Sequence, residues 1–128
     1  MFYVSDVIKA LHGFRLTRRP RSEADLSDQL ADLLLADGLP VAREYRLGPN
    51  ARLDLAVPTG GVGSPIMGVE VKLGRPDPTA LARQLRRYAA HDLAALVVEA
   101  ERCPVLPPEI DGVPVRGLSI NAREGVAV

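Results

Sequence analysis

One cysteine, two histidines and no tryptophan leave this 128-residue chain little material for several common chemistries. Cys103, standing alone, excludes an intrachain disulfide and a cysteine metal cluster. His12 and His91 are too few for a zinc site without carboxylate help. Net charge is missing as well, because 16 basic and 16 acidic residues cancel. That balance argues against a protein acting by sheer positive charge, while leaving local patches open. No apolar run reaches membrane-spanning length, so no membrane partner is expected. The opening stretch, "MFYVSDVIKALHGF", is interrupted by Asp6 and Lys9 and has no small-residue cleavage site. It is not read as a signal peptide, and a cytoplasmic location follows as the expectation.

What is present is ordinary for a globular protein: 47% apolar and 25% charged residues, without internal repeats or low-complexity segments. The length suits a single domain over residues 1–128 with a core of its own. The first helix is expected over residues 5–14, with Ser5 as N-cap and Gly13 at its end. After the basic connector "LTRRPRS", Ser22 caps a second helix that stops at Gly38. Its apolar stripe is Leu26, Leu30, Leu33 and Leu34, and Asp25 stands where a capping box would carry Glu or Gln.

The hydrophobic period then changes to two. Strands are expected over 41–47 and 51–57, separated by "GPN", and over 66–73 after the Gly/Pro loop "PTGGVGSP". Asp77 and Pro78 begin a third helix at the N-cap and first-turn positions. The continuous apolar run at 93–100 reads as a buried strand, and residues 113–120 as a last one. The fold class is therefore α/β, a mixed sheet flanked by helices in the order α-α-β-β-β-α-β-β.

Alternation along a strand sets Leu53, Leu55 and Val57 on one face, with Arg52 and Asp54 on the other. In "GVEVKLG", Val69, Val71 and Leu73 share one face, and Glu70 and Lys72 the opposite one. A hairpin closing symmetrically about Val62 places position 54 opposite position 70. Like charges directly opposed on a sheet are unfavourable, so two acids gathered with a lysine call for a cation or a function. Magnesium answers with its preference for oxygen ligands and its low demand for protein carboxylates. Asp54 and Glu70 would supply two ligands and the Val71 carbonyl a third. Lys72 would orient the attacking water or stabilise charge on phosphorus, and the chemistry this fits is phosphodiester hydrolysis.

Asp54 in "RLDLAV", followed by Glu70-Val71-Lys72 on the next strand, resembles the PD-(D/E)XK nuclease superfamily, also called the restriction-endonuclease-like fold. The proline that names the motif is missing here. Its motif core would span residues 22–100. The resemblance implies a DNA nuclease using Mg2+, with Mn2+ able to substitute. It also implies an auxiliary glutamate on the preceding helix, matched by Glu23 as a further metal ligand. A glutamine and a tyrosine on the following helix match Gln84 and Tyr88, four apart and so on one helix face. A chain this short, lacking a separate specificity domain, would act on two strands as a homodimer or within a larger nucleoprotein complex.

Blander readings stand beside these. Glu70 and Lys72 would also suit an exposed ion pair of little energetic consequence. Glu23 would suit the positive end of its helix, and Gln84 and Tyr88 simple helix packing. Arg52 has two readings, structural partner of an acid or contact to the scissile phosphate. Arg75, Arg83 and Arg87, with Tyr88, would hold a nucleic-acid backbone without reading sequence, or else form a solvated face. Arg15, Arg18, Arg19 and Arg21 form a second cluster before the second helix. "GGVG" reads as a hairpin tip, and His91 as a helix-end cap. The competing function is a catalytically silent nucleic-acid-binding or protein-interaction module of the same fold. Two Phe and three Tyr offer little for base stacking, and nothing points to RNA.

Overall fold

The computed structural model describes residues 2–120, so residue 1 and residues 121–128 of the expected domain lie outside the described residues. Helix α1 spans Val4–His12 and buries Val7 and Leu11. Its N-cap is Tyr3 and not Ser5: the Asp6 carboxylate accepts the Tyr3 N–H at 2.9 Å, fixing the start two residues earlier. Helix α2 spans Glu23–Ala36, and the Ser22 hydroxyl accepts the Asp25 N–H at 3.1 Å. Gly38 ends it in the left-handed region, at φ +79°. Leu26, Leu30 and Leu34 are fully buried, whereas Leu33 is only partly covered. Asp25 builds no capping box, because its carboxylate is taken by Arg18 and by the Arg21 N–H.

Strands β1 (Ala42–Gly48), β2 (Ala51–Pro58) and β3 (Ile66–Lys72) follow as an antiparallel meander. Helix α3 (Pro78–Ala89) then crosses to β4 (Leu93–Ala100), which runs parallel to β3. Asp77 caps α3 by accepting the Ala80 N–H at 2.8 Å, and Pro78 occupies its first turn. A two-residue strand β5 (Glu109–Ile110) turns through Asp111 and Gly112 into β6 (Val113–Ser119). The expected order lacks β5, although its signal is present: Asp-Gly between Ile110 and Val113, both with positive φ, suits a two-residue hairpin. The mixed sheet has six strands in the order β1-β2-β3-β4-β6-β5. Helices α1 and α2 pack on one face around Leu55, Val57, Val69 and Val71. Helix α3 packs on the other around Leu96, Val98 and Leu85.

Simple alternation breaks down in the middle of β1 and β2, as it does at the start of β4 between Leu93 and Ala95. Leu55 and Val57 face α2 as expected, but Leu53 packs on the α3 side, over Gly68. Strand β1 makes the same exchange, since Arg43 pairs with Asp28 of α2 while Leu47 packs on the α3 side. Glu44, lying between them, has φ +51°. A left-handed residue inside a strand reverses the pleat, which strict period-two reading does not foresee.

Candidate active site at the β2–β3 fork

The β2–β3 ladder runs from Pro58↔Ile66 to Leu55↔Val69, the register expected from symmetry about Val62. It ends one step before 54 would pair with 70. Past that point the Asp54 carboxylate takes over a backbone role: its Oδ2 accepts the Val71 N–H at 2.7 Å. A side chain thus fills the place of a ladder hydrogen bond, and the fork between the strands is closed by an acid.

Glu70 lies on the α3 side and is 3% exposed. Its Oε1 is 3.0 Å from the Tyr88 hydroxyl, and its Oε2 accepts from Gln84 Nε2 at 3.1 Å. Lys72 Nζ stands 3.2 Å from the same Oε2, one pleat along the strand. Gln84 also donates to the Tyr88 hydroxyl oxygen at 2.9 Å, so both amide hydrogens are used. The Tyr88 hydroxyl has one proton and two acceptors within 3.0 Å, Glu70 Oε1 and the Arg52 carbonyl. Protonating Glu70 resolves that shortage, because the acid then donates to Tyr88 and Tyr88 to Arg52.

The electrostatics agree. Burial first, and the charge of Asp54 second, push the Glu70 carboxyl up to about 7, against the pull of Lys72 and Tyr88. Burial also raises Asp54, although the Val71 N–H and a hydrogen bond from Glu70 oppose that rise. Tyr88 is raised by burial and by facing Glu70. With Glu70 ionised, two acids share one lysine, and the excess negative charge favours uptake of a proton or of a cation.

Glu23 is exposed and lies off the buried stripe, yet it reaches the site's margin: its Oε2 accepts the Leu73 N–H at 3.2 Å. Its charge contributes to raising Asp54. Among the described residues no group of three or more His, Cys, Asp or Glu gathers as a metal cage. The protein's offer to an ion is therefore the carboxylates of Asp54 and Glu70, and Glu23 is not joined to them as a third acid. That donor set fits a hard cation such as magnesium, which keeps most of its shell for water and substrate.

Of the expected backbone contacts, Tyr88 belongs to the Glu70 network and Arg52 contributes its carbonyl to it, the Arg52 side chain being exposed. Arg75 and Arg83 are exposed. Arg87 lines a cavity of about 330 Å³ with Asn50 and His91, beside the β1–β2 turn and not at the carboxylates. His91 caps nothing with its ring: its backbone N–H bonds the Tyr88 carbonyl, and the imidazole packs on Gly48. The expected basic connector is partly committed, Arg18 to Asp25 and Arg15 to the Phe14 carbonyl at 2.8 Å.

Two supports were not foreseen. Buried Gln29 accepts from the Thr17 N–H and hydroxyl and donates to the Arg18 carbonyl, tying the connector to α2. Gly74, at φ +60°, donates to Glu101 Oε1 at 2.7 Å and accepts from the Arg102 N–H at 3.0 Å. This fixes the end of β3 just past Lys72. A glycine closing a charged strand is the available signal for the second, and none was available for the first. No helix among the described residues is long and apolar enough to cross a membrane. Compared with protein-family models, curated proteins and solved structures, the chain matches none.

Proposed function

We propose that this chain is a magnesium-dependent nuclease of the restriction-endonuclease-like fold that hydrolyses phosphodiester bonds of DNA. The observation carrying the reading is the fork itself: Asp54 bonded to the Val71 N–H beside a buried Glu70 that Lys72 touches at 3.2 Å. A bound magnesium ion would supply Lewis acidity to a phosphoryl oxygen and lower the pKa of a coordinated water. Asp54 and Glu70 would hold it, with the Val71 carbonyl as a neutral ligand. Lys72 would orient the attacking water and offset the charge growing on phosphorus. Gln84 and Tyr88 hold the Glu70 carboxylate in one orientation, and Glu23 steadies the end of β3 through the Leu73 N–H. Exposed Arg52, Arg75, Arg83 and Arg87 are the candidates for phosphate contacts. Cutting both strands of a duplex calls for a second copy or a larger nucleoprotein complex, which light scattering with and without DNA would reveal.

The test incubates purified protein with linear, nicked, branched and single-stranded DNA in magnesium or manganese. Cleavage by the wild type that Lys72→Ala reduces on the order of 10³-fold supports the reading. Equal cleavage by the two proteins removes Lys72 from it.

A silent nucleic-acid-binding or protein-interaction module of the same fold is the second reading. The absence of a three-acid group among the described residues favours it. Calorimetry separates the two, since the module binds DNA without taking up magnesium.

A further inference from the structure

Strands β1 and β2 keep one register throughout their central part, yet the pair Glu44↔Asp54 is missing between Arg43↔Leu55 and Tyr45↔Leu53. At that step Glu44 is left-handed, at φ +51°, although neither glycine nor asparagine stands there. On either side of the step both strands exchange faces, Leu55 towards α2 and Leu53 towards α3. On its other flank, Asp54 has also lost its pairing with Glu70. The residue between two broken pairs is the one whose carboxylate reaches the Val71 N–H at 2.7 Å.

We infer that Glu44 is a positioning residue for Asp54, acting through its backbone and not its charge. Were residue 44 to relax to extended geometry, the 44↔54 pair could close and alternation would run on through β2. Leu53 would then compete for the α2 side, and Asp54 would turn towards one face of the sheet, away from the Val71 N–H. A left-handed glutamate is held only where its surroundings demand it, and the demand here is the crossing of two strands at the acid. The catalytic consequence rests on the nuclease reading proposed above; the structural consequence does not.

Variants at position 44 test this in the metal-free full chain, with amide exchange at Val71 as the primary readout. Glu44→Gly accepts positive φ freely and Glu44→Gln changes only the charge, so both should keep Val71 protected as in the wild type. Glu44→Val resists positive φ and should speed Val71 exchange by about tenfold or more. Manganese affinity measured by calorimetry should weaken alongside it, and in cleavage assays kcat should fall while KM for DNA holds. If the valine variant does not fold, Glu44→Ala should show the same change at smaller amplitude, between glycine and valine. Equal Val71 protection across the glycine, alanine and valine variants overturns the inference, as does a Glu44→Gln that behaves like Glu44→Val. A wild type that neither cuts DNA nor binds manganese would end the nuclease reading alone, since the Val71 ordering would still decide this one.

Discussion

Asp25 at the start of α2 and Glu70 in the middle of β3 are both carboxylates with a cation and an N–H or O–H donor at hand. Arg18 and the Arg21 N–H hold the Asp25 carboxyl down at about 2. Lys72, Gln84 and Tyr88 surround Glu70, whose carboxyl nevertheless rises to about 7. At Asp25 the partners outweigh burial, whereas at Glu70 burial and the charge of Asp54 outweigh the partners. Glu70 is 3% exposed and stands beside Asp54. The first acid fastens a loop to a helix, and its charge is satisfied. The second is left wanting a counter-charge that the protein does not provide in full, which is the condition expected of a metal ligand.

Substitutions can break this contrast in order of effect. On the proposed nuclease reading, Asp54→Asn and Glu70→Gln should each lower magnesium-dependent cleavage on the order of 10³-fold, read as kcat on a fixed DNA substrate. Next comes the pH dependence of metal-free stability. Glu70 binds its proton more tightly folded, near 7, than unfolded, near 4.5, so the folded state holds the extra proton between those values. Stability is therefore highest below the lower value and falls as pH climbs through the window, by about 3 kcal/mol in denaturant titrations. Asp54 is shifted in the same direction and adds to that fall. Saturating magnesium should flatten the slope, and Glu70→Gln should remove most of it. Tyr88→Phe should lower kcat by roughly tenfold, because Glu70 loses one of the groups that orient it. Smallest is Asp25→Ala, which should leave cleavage unchanged and lower the melting midpoint slightly near neutral pH. The Asp25 contribution is present above its unfolded value of 3.8 and disappears as pH falls towards about 2, the reverse of Glu70.

Much of this contrast is legible in the chain. Ser22, Gly38, Asp77 and Pro78 announce their helix ends by local chemistry. The symmetry of the loop about Val62 gives the observed β2–β3 register, though the ladder stops at Leu55↔Val69, and helical spacing puts Gln84 and Tyr88 on one face. What escapes depends on groups distant in sequence. Glu44 carries no side-chain signal for a left-handed backbone, so the exchange of faces at Leu53 is invisible to a period of two. A paired distortion of two strands overrides alternation there. The Tyr3 cap is hidden because Asp6 acts backwards on the backbone, while Ser5 looks the better capping residue. Burial of Gln29 follows from the connector folding back over α2, which no periodicity encodes.

Gly68 opens the "GVEVKLG" segment, and its emptiness is occupied. A Cβ there would lie 2.8 Å from Leu53 Cδ2 and 3.0 Å from Leu96 Cδ2. Leu53 is the chain neighbour of Asp54, and its side chain fills the space that an absent methyl group leaves at position 68. Adding one carbon there would press first on the Leu53 and Leu96 side chains, a path towards the fork that runs through apolar atoms alone.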